Sequence, residues 1–272
     1  MSLIDIGANL AHESFTEDFD AVLARASAAG VHRMVVTGSD LDSSQNAIAL
    51  AERYTGQLFA TAGLHPHHAS DWNERLSALM QSAAATQRIV AVGETGLDYF
   101  RDISPRPVQQ EVLVAQLTIA AENSLPVFLH QRDAHADFRA VVQDYLPRLP
   151  RAVVHCFTDS ASALDDYLAM GCYIGVTGWI CDERRGAELY RAVASIPDDR
   201  LMIETDSPYL MPRTIRPKPR TRRNEPANLP YVLASVAAAR DQSIDDVAAL
   251  TTANAERFFG LAANHWTRSA MG

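Results

Sequence analysis

The sequence predicts an α/β fold, a single (β/α)8 TIM barrel over residues 1–272. Eight short apolar segments alternate with segments of helical spacing, the pattern of a parallel sheet with connecting helices. No change in composition marks a domain boundary, and barrels of this kind often have about this length. Five metal-capable side chains follow five different apolar segments, where barrel enzymes place their sites. A doubly wound open sheet is the alternative.

In the first half of the chain, strands are predicted at 2–6, 32–36, 57–62 and in the apolar run that begins at residue 89. Helical spacing follows the first three strands, at 15–29, 42–54 and 72–85, and Gly30 is a typical helix stop. The all-apolar fourth strand predicts burial on both faces. We expect Gly93 to end this strand and to leave Glu94 just beyond it.

In the second half, strands are predicted at 126–129, 152–154, 173–176 and 201–203, with helices at 105–123, before residue 152, at 160–170 and at 183–195. His65 follows the third strand, His130 the fifth, His155 the sixth and Asp206 the eighth. Because the carboxyl ends of barrel strands meet at one rim, we expect these side chains to lie together with Glu94.

These five side chains predict a metal site centred on Glu94. A single histidine at a strand end more often has a structural role, but five such groups at one rim favour metal binding. Imidazole and carboxylate ligands suit Zn²⁺, Mn²⁺ or iron, whereas a carboxylate-rich site with waters suits Mg²⁺. A carboxylate such as Glu94 can bridge two cations roughly 3.5–4 Å apart, as in phosphodiester cleavage. No nucleotide-binding glycine motif is present, so no nucleotide cofactor is expected.

A basic run lies directly after the eighth strand. From Arg213 to Arg223, and including Arg222, it carries six positive charges and no negative one, in a chain of net charge −9. The net charge argues against non-specific coating of DNA or of an anionic membrane, whereas the local run is suited to phosphate groups. We expect Arg184 to contribute, and Trp179 to stack on an unpaired base. A solvated loop without function is the alternative.

The chain is expected to be cytoplasmic. Its three cysteines lack metal-type spacing, as is usual for reduced thiols. The first residues do not resemble a signal sequence, and no stretch approaches the roughly 18 apolar residues of a membrane span. No membrane partner is expected, and a monomer is the default.

Several motifs together resemble those of the TatD-type metal-dependent deoxyribonucleases. They are G-L-H-P-H at 63–67, G-E-T-G-L-D at 93–98, L-H-Q-R-D-A at 129–134, H-C-F-T at 155–158, C-D-E-R-R-G at 181–186, E-T-D-S-P-Y-L at 204–210 and R-R-N-E-P-A-N-L-P at 222–230. The resemblance covers essentially the whole chain, and it is strongest to the bacterial branch of the family.

The resemblance implies an amidohydrolase-like barrel that acts as a 3′→5′ exonuclease on single-stranded DNA, with RNA as an open alternative and a role in DNA repair or degradation. Glu94, His130 and His155 would hold a divalent cation, Mg²⁺ first, with Mn²⁺ and Zn²⁺ as alternatives. Asp206 would be a further ligand or would orient the attacking water. His65 would lie beside the scissile phosphate.

One departure from the family pattern concerns the first strand. Many relatives carry D-x-H-x-H, but here the run is D-I-G-A-N at 5–9, so Gly7 and Asn9 replace two histidine ligands. One firm metal site is therefore expected and a second is left open. Asp5 is either a partner of the ligands or a strand-end cap.

Two other functions remain open at this point. The first is a hydrolase of small C–N or ester substrates, for which the basic run would have no use. The second is a non-catalytic DNA-binding scaffold with a degraded metal site, which the altered first strand favours.

Overall fold

Eight parallel strands form one sheet in chain order in the computed structural model, which describes residues 2–261. The strands are β1 (Leu3–Ala8), β2 (Val31–Val36), β3 (Leu58–Ala62), β4 (Ala91–Asp98), β5 (Val127–Arg132), β6 (Ala152–Val154), β7 (Tyr173–Val176) and β8 (Leu201–Ile203). Each strand pairs with the next, and a bridge between Ala8 and Ser207 brings the chain after β8 back to β1. The predicted (β/α)8 barrel is confirmed. Of the predicted single domain, Met1 and residues 262–272 lie outside the described residues.

Helices connect the strands on the outside of the barrel. They are α1 (Phe19–Ala28), α2 (Leu41–Arg53), α3 (Glu74–Ala85), α4 (Arg106–Glu122), α5 (His135–Tyr145), α6 (Ala161–Ala169), α7 (Ala187–Ala192), α8 (Leu229–Arg240) and α9 (Ile244–Phe259). The helices predicted at 15–29 and 183–195 are shorter than expected, because residues 16–18 and 183–186 form turns and a 3₁₀ turn occupies Val193–Ser195. The last two helices lie beyond the predicted elements.

Two apolar cores follow from the alternation of side chains along each strand. One set packs between the strands and the surrounding helices. The other fills the barrel itself and includes Ile4, Phe128 and Met202 together with Phe258 and Phe259 at the end of α9. Helix α9 packs against β8 and β1, so it closes the amino-terminal end of the barrel. The opposite end is left for the site.

Strand β4 corrects one prediction, because it does not end at Gly93 but continues to Asp98. Glu94 therefore lies within the strand. The glycines serve close packing: a Cβ at Gly93 would lie 2.3 Å from the Phe128 carbonyl oxygen, and one at Gly96 only 1.8 Å from that of His130. Because β4 and β5 pair along this stretch, β5 also continues past its predicted end at residue 129 to Arg132. His130 therefore lies within its strand as well.

The junction between β1 and the segment after β8 is held by Asp5. Its carboxylate accepts hydrogen bonds from the Thr205 N–H at 2.9 Å, from the Thr205 hydroxyl at 2.5 Å and from the Gly7 N–H at 3.2 Å. Asp5 lies in the middle of β1 and is fully buried, so the strand-end cap is excluded. Among residues 2–261, no helix is long and apolar enough to cross a membrane.

Candidate metal centre

Three histidines surround one oxygen of Glu94. Oε1 lies 2.8 Å from Nε2 of His155, 3.1 Å from Nδ1 of His130 and 3.4 Å from Nε2 of His65. The donor atoms of Glu94, His130 and His65 all lie within 4.8 Å of one another. The structure thus brings together the predicted centre of the site, from strands β4 and β5 and the segments after β3 and β6.

The second nitrogen of each of two rings faces a further carboxylate. His130 Nε2 is 3.3 Å from Asp98 Oδ2, and His155 Nδ1 is 3.4 Å from Glu204 Oε2. A histidine that binds a metal through one nitrogen usually donates the other N–H to a carboxylate or carbonyl. His130 Nδ1 and His155 Nε2 are therefore the nitrogens available to a cation, and both face Glu94. This donor set fits a divalent cation.

His65 has the opposite arrangement. Its Nδ1 accepts a hydrogen bond from the backbone N–H of His67 at 3.1 Å, so in the neutral ring the proton is on Nε2. Burial holds the pKa of His65 well below its usual value, which keeps the ring neutral. The Nε2–H that faces Glu94 is thus a hydrogen-bond donor rather than a metal ligand, which agrees with the place beside a phosphate oxygen that the resemblance implied.

The charges of the centre are coupled. Burial alone would raise the pKa of Glu94, but His155, His65 and His130 hold it well below the usual range. Burial would lower the pKa of His155, yet Glu94 and Glu204 raise it well above its usual value. An ionised Glu94 is therefore matched by protons on the rings, and a cation would replace those protons because ligands bind in their deprotonated form.

Asp206 lines the same cleft, which has a volume of about 860 Å³ and is also lined by His12, Ser39, Asn46 and Tyr209. Its Oδ1 accepts a hydrogen bond from the Asn9 amide at 3.0 Å. Burial raises the pKa of Asp206 to about 7; His155 opposes the rise and Glu94 adds to it. Asn9, which stands in place of a histidine, thus orients a carboxylate at the site.

Apart from His65, the predicted substrate residues do not line this cleft. They are Trp179, Arg184, Arg213, Arg222 and Arg223. The Arg213 guanidinium lies 3.2 Å from Asp182 Oδ2, and the Arg184 N–H donates to Asp182 Oδ1 at 3.1 Å. Trp179 is covered by the Arg185 guanidinium, 4.4 Å from the ring centroid. Their contact with a substrate remains a prediction.

Arg222 and Arg223, the two predicted substrate residues that are adjacent in the sequence, differ in their surroundings. Arg223 forms an ion pair with Asp18 at 2.7 Å, whereas Arg222 is exposed. A contact of either with the substrate also remains a prediction.

Two residues of the site carried no prediction of their own. Asp98 and Glu204 are both buried, and each faces a histidine that borders Glu94. A sequence signal exists for Asp98, since residues 94, 96 and 98 share one face of a strand. That signal depended on extending β4 past Gly93. For Glu204 we find no signal beyond its position next to a strand end.

A family model described as TatD related DNase matches residues 4–260 of the chain. The chain belongs to the TatD-related DNase family. A protein of Klebsiella pneumoniae (strain 342) named 3′-5′ ssDNA/RNA exonuclease TatD is 47% identical over 262 residues, which cover 96% of this chain and 99% of that protein. A protein of the same name from Cronobacter sakazakii is 48% identical over 257 residues, 94% of this chain and 97% of that protein. The predicted TatD family is confirmed.

Solved structures of TatD proteins share the fold. A TatD homologue of Escherichia coli superposes with a TM-score of 0.86 at 31% identity and covers 95% of this chain and 98% of its own. A TatD-family hydrolase of Entamoeba histolytica gives 0.85 at 26% identity, with 96% and 99% covered. An amidohydrolase of Saccharomyces cerevisiae, 21% identical, gives 0.82 and shows the same fold. These structures confirm the predicted barrel fold.

Proposed function

We propose that this chain is a divalent-metal-dependent 3′→5′ exonuclease that hydrolyses phosphodiester bonds of single-stranded DNA and RNA. The observation that carries the proposal is the arrangement around Glu94, where His130 and His155 each direct a ring nitrogen to one carboxylate oxygen. The TatD relatives named as 3′-5′ ssDNA/RNA exonucleases support the substrate and the polarity, because they match the chain over nearly its full length.

Glu94, His130 and His155 would hold the cation, with Asp206 beside them. A divalent cation supplies Lewis-acid polarisation of a phosphoryl oxygen and makes water a better nucleophile at neutral pH. We propose Mg²⁺, because an ion that keeps several waters tolerates a site with few protein ligands. The altered first strand supports one firmly held ion.

The side chains then have separate tasks. Asp206, with a pKa raised to about 7, accepts the proton of the attacking water near neutral pH, and the Asn9 amide holds its carboxylate in place. The His65 Nε2–H donates a hydrogen bond to a phosphate oxygen and stabilises the charge that develops there. The exposed Tyr209 ring, in edge-on contact with His12 at 6.0 Å between centroids, offers a surface for an unpaired base.

The experiment is the digestion of 5′-end-labelled single-stranded DNA and RNA by metal-stripped protein, with Mg²⁺, Mn²⁺ or Zn²⁺ added back. We expect a ladder that shortens from the 3′ end, only with added cation. Glu94→Gln should reduce the rate by more than about 100-fold, whereas the control Glu111→Gln, at an exposed position of α4, should not change it. No cleavage with any cation, or equal cleavage by Glu94→Gln, would overturn the proposal.

The two alternatives both predict no cleavage in this assay, and they are distinguished from each other by whether the protein binds the same labelled oligonucleotide. A scaffold predicts DNA binding without metal-dependent cleavage, and a small-molecule hydrolase predicts neither. Within the basic run, Arg223 and Arg213 have partners within the chain, which leaves fewer of its charges for a nucleic acid.

A cytoplasmic location belongs to the proposal and is supported by the three free cysteines at 156, 172 and 181. The role in DNA repair or degradation and the monomeric state stay predictions.

A further inference from the structure

The turn that follows β4 places two large apolar side chains in solvent at the rim of the barrel. Phe100 is 55% exposed and Ile103 is 63% exposed, although β4 itself is buried along its whole length. Single exposed apolar side chains are common on protein surfaces. The surroundings of these two therefore decide whether the turn has a function.

Hydrogen bonds hold this turn next to the metal centre. Asp98 Oδ2 lies 2.7 Å from Nε2 of His67, which lines the cleft, and Asp98 Oδ1 accepts a hydrogen bond from the Arg101 N–H at 2.8 Å. The buried Gln109 side chain accepts from the Asp98 N–H at 2.8 Å and donates to the Ser104 carbonyl at 2.7 Å. Both ends of the turn are thus tied, and its exposed ring stands on a fixed backbone.

The Phe100 ring stacks on an arginine at the end of β5. The guanidinium carbon of Arg132 lies 3.9 Å from the ring centroid, and we call these two residues the rim pair. Arg132 and His130 share one face of β5, because side chains two residues apart in a strand point the same way. Their backbones are about 6.6 Å apart, roughly one nucleotide step of an extended strand. Among residues 2–261 the Arg132 guanidinium has no hydrogen bond or ion pair, so its donors are available to an anion.

A neighbouring pair of the same kind has different surroundings. The Arg106 guanidinium lies 4.4 Å from the Tyr99 ring centroid, but it also donates to Asp102 at 3.0 Å, and the Tyr99 hydroxyl donates to Asp137 at 2.8 Å. The polar groups of that pair are used within the chain. The rim pair instead combines an open aromatic surface with an unpaired cation, which is how proteins bind the base and the phosphate of an unpaired nucleotide.

The rim pair lies across the barrel from Tyr209. In the sheet order, β4 and β5 are four strands away from β8 and β1, so the segments that follow them stand on opposite sides of the rim. Tyr209 and His12, which offer a surface for an unpaired base, belong to the side of β8 and β1. A nucleic-acid strand that crosses the metal centre therefore has an aromatic surface on each side of it.

Charge determines which end of the strand suits which side. Among the described residues that line the cleft, three carboxylates lie outside the metal centre, and none is a lysine or an arginine. These carboxylates, Glu13, Asp40 and Asp42, follow β1 or β2 and would repel a phosphate. The 3′-terminal nucleotide has no phosphate beyond its free 3′ hydroxyl, so it suits this side. The nucleotide before it carries the phosphate that continues the strand and suits the side with the free arginine.

We propose that Phe100 and Arg132 bind the second nucleotide from the 3′ end, with its base stacked on Phe100 and its 5′ phosphate on Arg132. The inference rests on the proposed function and names the residues that set the direction of the strand. The scissile phosphate then lies over the metal centre, and the terminal nucleotide extends towards Tyr209.

The first test measures the anisotropy of a labelled single-stranded oligonucleotide in a Glu94→Gln background, which prevents cleavage. Phe100→Ala and Phe100→Leu should both raise Kd by about 5- to 150-fold, whereas Phe100→Trp should not, because stacking needs an aromatic face. Arg132→Ala should flatten the slope of log affinity against log salt by about 0.7. Arg106→Ala, which removes the cation of the neighbouring pair, is the matched control and should change neither quantity.

The second test locates the nucleotide. With an abasic site at the second position from the 3′ end, Phe100→Ala should have little further effect on affinity, whereas an abasic 3′-terminal position should leave its effect intact. A neutral methylphosphonate at the 5′ phosphate of the second nucleotide should in the same way remove the effect of Arg132→Ala. Additive losses at the second position would overturn the inference. Full affinity of Phe100→Leu would also overturn it and would indicate an apolar surface for a protein partner.

These outcomes are separate from those of the proposed function. If the parent protein does not cleave but Phe100→Ala weakens binding at the second nucleotide, the exonuclease fails and the nucleotide site stands. If the parent cleaves from the 3′ end and Phe100→Ala binds as tightly as the parent, only the present inference fails. If the parent binds no oligonucleotide, both fail.

Discussion

Arg222 and Arg223 are adjacent and were both predicted to contact the substrate, yet the structure predicts different effects for their removal. The Arg223 guanidinium donates to the two carboxylate oxygens of Asp18 at 2.7 and 2.8 Å and to the Ser14 carbonyl at 2.6 Å. For Arg222, no ion pair occurs within residues 2–261 and the side chain is exposed. We expect Arg223→Ala to lower stability and Arg222→Ala to lower DNA affinity.

The magnitude follows from exposure and geometry. Hydrogen bonds from Arg223 and then from Arg25 hold the pKa of Asp18 well below its usual range. The Arg223 side chain is 26% exposed and that of Asp18 34%, so solvent screening reduces the interaction. A bidentate, charge-assisted pair of this kind is worth about 1–2 kcal/mol, which corresponds to a melting temperature lower by roughly 2–6 °C. Arg222→Ala should stay within about 0.5 kcal/mol.

The assay combines urea unfolding with anisotropy of a labelled single-stranded oligonucleotide over a range of salt, in a Glu94→Gln background that prevents cleavage. Loss of one phosphate contact in Arg222→Ala should flatten the slope of log affinity against log salt by about 0.7. Arg223→Ala should leave the slope unchanged. In an Asp18→Ala background, Arg223→Ala should have much less effect on stability than it has in the parent protein. A flattened slope with unchanged stability in Arg223→Ala would refute this reasoning.

Two further predictions concern buried carboxylates. Asp98→Asn removes the acceptor beside His130 Nε2, and we expect Mn²⁺ affinity by calorimetry to fall about 10- to 100-fold; an unchanged affinity would show that His130 needs no such partner. Burial raises the pKa of Asp5 to about 7, against hydrogen bonds from Thr205 and Gly7. Its contribution to stability is therefore full below the unfolded pKa near 4 and is lost as pH rises through 7, by roughly 4 kcal/mol at most. In unfolding experiments from pH 4 to 8, the stability of Asp5→Asn relative to the parent protein should therefore increase as the pH rises. Parallel profiles of unfolding free energy against pH for the two proteins would contradict this prediction.

The sequence predicted the architecture well where local patterns determine it. Strands β6, β7 and β8 have the predicted bounds, because each is a short apolar run between polar segments. The ends of β4 and β5 were wrong because they depend on how closely those two backbones approach at Gly93 and Gly96. A glycine signals a turn in the sequence alone, whereas here it permits packing.

The same division holds for the site. The convergence of Glu94, His130 and His155 follows from the shared rim of parallel strands and was predictable. The partners of the ring nitrogens were not, because the direction of a side chain depends on contacts between elements that are distant in the sequence. Arg223 shows this most clearly: its charged neighbours suggested a phosphate contact, but Asp18, 205 residues away in the sequence, binds its guanidinium.

The junction of β1 with the segment after β8 has a consequence for the synthesis of the protein. Thr205 binds Asp5 across 200 residues of sequence, the Asp206 N–H donates to the Gly7 carbonyl, and Asn9 pairs with Ser207. Contacts of such separation form late in folding. A nascent chain that has not yet extended past residue 207 has the histidines of the site but lacks the last wall of the cleft, so the site is complete only after the segment that follows β8 has left the ribosome.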